Sequence, residues 1–260
     1  MVLLTRRTMQ VVLQFHGDLT FFLPADSRRQ PIRRPLHEKT SIKDVIEACG
    51  VPHTEVDLIL CDGSPVEFSH QLTDDAEIDV YSPFGSPQEF AANQLQQRGI
   101  TKFVADGHLG KVARNLRLLG LDVAYNATAD DTALLEISAR EKRALLTRDR
   151  RLLMHAIVRD GYCPRSDSPE EQTVEVIRRF NLHALLAPFS RCLTCNGTLE
   201  PVSKAEVLTR LEPLTKIYYQ NFRHCMVCGK IYWAGSHFGK LQSRIRRIRN
   251  AVGSQRDTDN

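Results

Sequence analysis

Lys102-Phe-Val-Ala-Asp-Gly-His-Leu-Gly-Lys-Val-Ala-Arg-Asn-Leu-Arg-Leu-Leu-Gly120 is the stretch that decides the fold. Phe103-Val-Ala has the length and apolarity of a short buried strand, and Asp106 ends it. Leu109, Val112, Ala113, Leu116 and Leu119 then recur at helical spacing, and Gly120 stops the helix. The same alternation continues downstream. Asp122-Val-Ala-Tyr125 is a second strand, and Asp130 or Asp131 opens a helix carrying Leu134, Leu135 and Ile137. Ala144-Leu-Leu-Thr147 is a third strand, followed by a helix through Leu152, Leu153 and Ile157. Gly161-Tyr-Cys163 is a fourth. Ser168-Pro169-Glu170-Glu171 then places a serine cap, a first-turn proline and an acid three residues on, which opens another helix. Repeated strand-helix units predict a parallel sheet with helices on its faces, an α/β class.

Upstream the pattern differs. Met9, Val11, Leu13 and Phe15 alternate as in a half-buried strand, and Phe21-Phe-Leu23 follows the Gly17-Asp18 turn as its hairpin partner. Arg28 to Arg34 is polar and reads as a loop. Thr40 or Ser41 caps a helix carrying Ile42, Val45 and Ile46, which Gly50 ends. Val56-Asp-Leu-Ile-Leu60 and Ile78-Asp-Val-Tyr81 are the last strands. The order β-β-α-β-β predicts an α+β β-grasp unit of ubiquitin-like architecture over residues 9–82, and Ser82-Pro-Phe-Gly-Ser-Pro87 reads as a linker.

Downstream lie Cys192-Leu-Thr-Cys195 and Cys225-Met-Val-Cys228. Each pair is followed by a turn-forming glycine, Gly197 after Asn196 and Gly229 directly. Two such turns can direct four thiolates at one zinc ion, which makes a structural site with no open position for substrate. A zinc module is thus expected over 191–239. Leu241, Ile245, Ile248 and Val252 have helical spacing among Arg244, Arg246, Arg247 and Arg249, which predicts a basic helical tail over 240–260 that contacts phosphates.

With 42% hydrophobic and 25% charged residues, the 260-residue chain is globular rather than disordered. Its apolar runs fall short of the roughly 18 residues that span a bilayer, so no membrane association is expected. Met1 to Arg7 makes a poor signal peptide, because the arginines follow the apolar residues. Cys49, Cys61 and Cys163 read as buried free thiols, which favours a reducing, cytoplasmic setting. The charge is uneven. Residues 1–82 carry a net −5, residues 83–190 +2, and residues 191–260 +7, with 12 Lys and Arg against 5 Asp and Glu in the last. A polyanionic partner at one end is implied.

Ligands of open α/β sheets sit beyond the carboxyl ends of the strands. Asp106 and Asp149 follow the first and third strands, Asp130 and Asp131 follow the second, and Asp167 follows the fourth. Such carboxylates repel one another unless hard cations, Mg²⁺ or Mn²⁺, occupy them, and bound ions of that kind support phosphodiester hydrolysis. An Asp before a helix also serves as an N-cap, and that reading competes for each. Glu136 is one turn further on. Lys111, Arg114 and Arg117 form a basic stripe, either a solvated face or a phosphate track, and Thr147 and Arg148 flank Asp149.

These residues carry a resemblance. Phe103 to Gly120, Leu145-Leu-Thr-Arg-Asp-Arg-Arg-Leu152, Ser190-Arg-Cys-Leu-Thr-Cys-Asn-Gly197 and Cys225-Met-Val-Cys-Gly-Lys-Ile-Tyr-Trp-Ala-Gly-Ser-His237 resemble the PIN-like RNase family named for the C-terminal domain of the Mut-seven exonuclease. The likeness covers about residues 100–245. Gly50-Val-Pro-His-Thr-Glu-Val-Asp57 resembles the ubiquitin-like domain often fused ahead of it. The resemblance implies a PIN-like nuclease domain over 100–190 and a zinc ribbon after it. It places the catalytic metal ligands on Asp106, Asp131 and Asp149, with Asp167 as a fourth. Trp233 and His237, with Tyr232, are candidates for stacking on unpaired RNA bases. Two functions compete: a metal-dependent ribonuclease, and a non-catalytic adaptor that binds RNA through the zinc ribbon and a protein partner through the ubiquitin-like domain. A DNA nuclease would share the chemistry of the first.

Overall fold

The computed structural model describes residues 8–253; the start read above against a signal peptide and the end of the basic tail lie outside the described residues. The first elements are β1 (Met9–Phe15), β2 (Ile32–Leu36), β3 (Thr40–Ser41), α1 (Ile42–Glu47), β4 (Leu58–Cys61), β5 (Ser64–Pro65), β6 (Gln71–Leu72) and β7 (Ala76–Tyr81). Five of the strands form a mixed sheet in the order β2-β1-β7-β4-β5, and β3 pairs with β6 apart from it. The central pair β1–β7 is parallel, while β2 and β4 run antiparallel to their neighbours. β1 forms as its alternation requires: Met9, Val11, Leu13 and Phe15 are all buried. In α1, the Ser41 hydroxyl accepts the Asp44 amide at 3.1 Å, and Ile42, Val45 and Ile46 face inward.

Two expectations fail here. Phe21 and Phe22 are not a strand. Gly17–Phe22 is a 3-10 helix that buries Leu19 and Phe22. The hairpin partner of β1 is instead β2, inside the segment read as a loop. Its Ile-Arg-Arg-Pro-Leu sequence suits an edge strand, where one side faces water and Pro35 withholds no amide from a neighbour. The linker is also better anchored than its composition suggests. Ser82 is fully buried and its carbonyl accepts the Gly85 amide and the Ser86 hydroxyl, both at 3.1 Å, while beyond the linker the Leu95 and Gln96 amides bond the Asp57 carbonyl and carboxylate at 2.7 and 3.0 Å.

The chain continues through β8 (Lys102–Ala105), α2 (Gly110–Leu118), β9 (Asp122–Tyr125), α3 (Asp131–Glu141), β10 (Ala144–Leu146), α4 (Arg150–Leu153), β11 (Gly161–Tyr162) and α5 (Pro169–Arg179). The strand order is β11-β10-β8-β9. β8 is parallel to both β9 and β10, and Ala105 lies level with Tyr125 and Leu146, so these three strands end together. Phe103, Val104, Leu145 and Val123 are buried, as continuous apolar runs in a covered parallel sheet should be. Gly120 ends α2 at φ +92°, and a Cβ there would lie 2.2 Å from the Ala187 carbonyl oxygen. Only glycine fits.

The last elements are β12 (Leu199–Val202), α6 (Lys204–Val207), α7 (Pro213–Tyr218), β13 (Phe222–Cys225), β14 (Ile231–Trp233) and α8 (Phe238–Gly253). β13 is the middle of a three-stranded antiparallel sheet. By compactness the chain divides into two units, 1–98 with 147–163, and 99–146 with 164–260.

Candidate metal centre and acidic strand ends

The four cysteines come together. Their sulfurs all lie within 4.8 Å of one another, with Cys192 3.7 Å from Cys228 and Cys195 3.3 Å from Cys225. A disulfide would need about 2.05 Å, whereas zinc bonds of about 2.3 Å at tetrahedral angles separate sulfurs by about 3.8 Å. The donor set therefore fits a metal such as zinc. Local backbone explains the geometry. The residue after each second cysteine is left-handed: Asn196 at φ +73° and Gly229 at +68°. Asparagine is the residue that best substitutes for glycine there. Gly197 serves a different need, since a Cβ on it would sit 2.8 Å from the Cys225 sulfur.

Protonation within the cluster is uneven. Burial alone would raise the Cys192 thiol, but bonds from the Tyr232 hydroxyl and from the Cys195 and Thr194 amides outweigh it and bring it down to about 6. Burial and the neighbouring cysteine sulfurs push Cys195 up to about 12. Four crowded sulfurs do not all ionise without a cation. Tyr232 was expected to stack on bases. Its oxygen instead accepts the Leu193 amide at 3.1 Å and lies 3.1 Å from the Cys192 sulfur, so it braces the first knuckle.

Arg117, read as part of a phosphate track, is also otherwise employed. It is 4% exposed, and donates to the Val123 carbonyl at 2.9 Å and the Thr194 carbonyl at 3.0 Å. It ties α2 and β9 to the knuckle. Asn196 adds a second tie, accepting the Val123 amide at 3.1 Å and donating to Asp122 at 2.7 Å. Asp122 also accepts from Arg143 at 2.6 Å. Burial works to raise its carboxyl. The bonds from Arg143 and Asn196 and the charges of Arg143 and Arg191 outweigh that, and hold it below the usual carboxylate range. Asp122→Asn should therefore cost about 2 kcal/mol at pH 7. A depressed folded value gives stability that is complete above the unfolded value near 3.9 and lost as pH falls through the folded one. Parent and variant should thus converge below about pH 4. Urea melts at pH 7 and pH 3 test this, and an unchanged gap would contradict it.

The acids stand at the strand ends. Asp106 is partly buried and caps the turn Gly107–Leu109, with Oδ1 3.4 Å from the His108 amide, while its own amide donates to the Leu146 carbonyl at 3.0 Å. Exposed Asp149 caps α4, accepting the Arg151 and Leu152 amides on Oδ1 at 2.8 and 3.2 Å. Asp130 caps α3 through the Ala133 amide at 2.8 Å. Asp131, the first residue of α3, is exposed and makes no side-chain hydrogen bond among the described residues. Asp167 and Glu136 are exposed too. Ser168 occupies the cap of α5, but its hydroxyl makes no capping bond. Among the described residues, the four cysteines are the one group of three or more metal-ligating side chains gathered so tightly.

Lys111, Arg114, Arg148 and His237 are exposed, and Trp233 is 39% exposed beside Phe222 and Tyr219. The expected basic tail is a docked helix. Ile245 and Ile248 are buried, Arg247 grips Glu170 of α5 with two bonds at 2.9 and 2.7 Å, and Arg244 reaches the same carboxylate at 3.3 Å. The bonds from Arg247 hold the Glu170 carboxyl below its ordinary range. Arg246 and Arg249 are exposed. No helix among the described residues is long and apolar enough to cross a membrane.

Family comparison agrees with this architecture. Residues 8–88 match the Mut7-C ubiquitin domain, and residues 101–245 match the Mut7-C RNAse domain. A search of curated proteins finds no match. The RNase match spans more than half of the chain and carries a nuclease-type function with it. The chain belongs to the Mut7-C RNAse family, with a ubiquitin-like domain at its N-terminus.

Proposed function

We propose that this protein is a metal-dependent, PIN-like ribonuclease that hydrolyses RNA phosphodiester bonds. The observation that carries the reading is the position of Asp106 and Asp149. Both lie just beyond parallel strands, inside the segment that matches the RNase family. Asp106, Asp131 and Asp149, with Asp167, would hold Mg²⁺ or Mn²⁺, which when bound lowers the pKa of water and neutralises charge on the leaving oxygen. The chain's own part is to orient these oxygens. Capping through Oδ1 fixes the side chain of Asp149 against α4. Lys111, Arg114 and Arg148, with Arg246 and Arg249, offer exposed positive charge to the RNA backbone, and Trp233 and His237 offer rings to unpaired bases. Zinc on the four cysteines would be structural. The unbridged cysteines support a reducing, cytoplasmic setting.

The adaptor reading has one observation in its favour: Asp106, Asp130 and Asp149 all act as helix caps, and so have a structural reason to be acidic. Incubation of the purified protein with unstructured RNA, structured RNA and single-stranded DNA decides between them. Cleavage of RNA with Mn²⁺ or Mg²⁺, abolished by chelator, is expected. RNA binding without cleavage under every metal condition would favour the adaptor.

A further inference from the structure

The ubiquitin-like domain holds a group of buried polar side chains that RNA chemistry does not use. Glu55 is 1% exposed and Asp57 fully buried, with His53 close behind at 7%. A carboxylate in such surroundings is costly unless hydrogen bonds satisfy it. The Cys163 amide donates to Glu55 Oε1 at 2.6 Å. His53 Nε2 donates to the Val158 carbonyl at 2.8 Å, since a carbonyl can only accept, and its other ring nitrogen faces Glu47 at 2.6 Å. The turn that carries both residues is itself fixed, because the Gln96 side chain donates to the His53 and Val56 carbonyls at 3.1 and 2.6 Å. A third anchor lies at the start of the same segment. Arg150 donates to the Phe22 carbonyl at 2.8 Å, and its guanidinium sits 5.4 and 5.1 Å from the rings of Phe21 and Phe22.

The three anchored residues, 150, 158 and 163, span one segment, Thr147–Cys163, which belongs with residues 1–98 by compactness. Asp149 lies in that segment, next to Arg150 and capping the helix that Arg150 begins. We propose that the ubiquitin-like domain acts within its own chain as the brace of this segment, with Glu55, His53 and the Phe22 carbonyl positioning Asp149. The inference rests on the reading of Asp149 as a metal ligand. It gives the domain a task that needs no external protein. A carboxylate held by a rigid outer partner binds metal better than a loose one, commonly by 10- to 100-fold.

The test uses the full chain with Glu55→Ala, Arg150→Ala and Glu55→Gln. Two quantities are read: hydrogen exchange of amides 147–163, and the Mn²⁺ concentration that half-saturates cleavage of an unstructured RNA. Both alanine variants should speed exchange in that segment and raise the Mn²⁺ requirement about 10-fold, with KM for RNA unchanged. Glu55→Gln keeps an acceptor for the Cys163 amide and should restore both. Should Glu55→Ala not fold, the partly exposed Arg150 gives the same readings. Unchanged exchange overturns the brace. Faster exchange with an unmoved Mn²⁺ requirement overturns the positioning role, provided that Asp149→Asn is inactive. An Asp149→Asn variant as active as the parent defeats the metal reading of Asp149 instead, and the exchange data alone then decide the brace.

Discussion

Asp149→Asn is expected to slow RNA cleavage about 100-fold or more and to leave thermal stability nearly unchanged. The two effects separate because the side chain has two separable duties. Oδ1 accepts the Arg151 and Leu152 amides, and asparagine caps a helix about as well as aspartate. The charge that would hold a cation is lost, and with it several kcal/mol of stabilisation of the reacting phosphate. Asp149→Ala should lose the same activity and, in addition, about 1 kcal/mol of stability with the cap. Asp106→Asn should behave like Asp149→Asn, because its cap bond also runs through Oδ1. Melting curves alongside cleavage rates in Mn²⁺ check all three. An Asn variant that cleaves at the parental rate would leave these acids as caps alone.

Cys225→Ser is expected to empty the metal centre and unfold residues 191–239. The buried apolar content there is small: Cys192, Leu199 and Cys225 make one cluster, and Val207, Leu211 and Phe222 another. Little else offsets the entropy of ordering so many residues, and structural zinc contributes on the order of 10 kcal/mol in peptides of this kind. Cys225 ends β13, the strand paired on both sides, so its loss strikes the middle of the small sheet. Metal analysis should give one zinc per parent chain and close to none in the variant, with hydrogen-exchange protection lost over the same residues. Parent protein purified without chelator and free of zinc would refute this.

Much of this was legible because the signals are local. Strands that end at an Asp, the Ser41 cap and the paired C-x-x-C turns each depend on neighbours in sequence. Asn196 could have been read as well, since it occupies the place that Gly229 takes in the second pair. Phe21-Phe22 was misread because so short an apolar run fits a strand or a buried helical turn equally. β2 escaped notice because an edge strand with alternate residues in water lacks an apolar signature. Arg117 shares a helix with Lys111 and Arg114 yet points inward, and its partners Leu193 and Thr194 lie 76 and 77 residues away. No periodicity encodes such a pairing. The same holds for His53 and Glu55, whose acceptor and donor are 105 and 108 residues distant.

That separation has a consequence for the order in which the chain is made. Residues 1–98 leave the ribosome well before Thr147–Cys163, and Gly99–Leu146 must be synthesised in between. At 5–20 residues per second that interval lasts about 2–10 s. During it Glu55 has no Cys163 amide and His53 no Val158 carbonyl. Until then the Glu55 carboxylate and the His53 ring lack these two bonds, and the later Thr147–Cys163 segment supplies both.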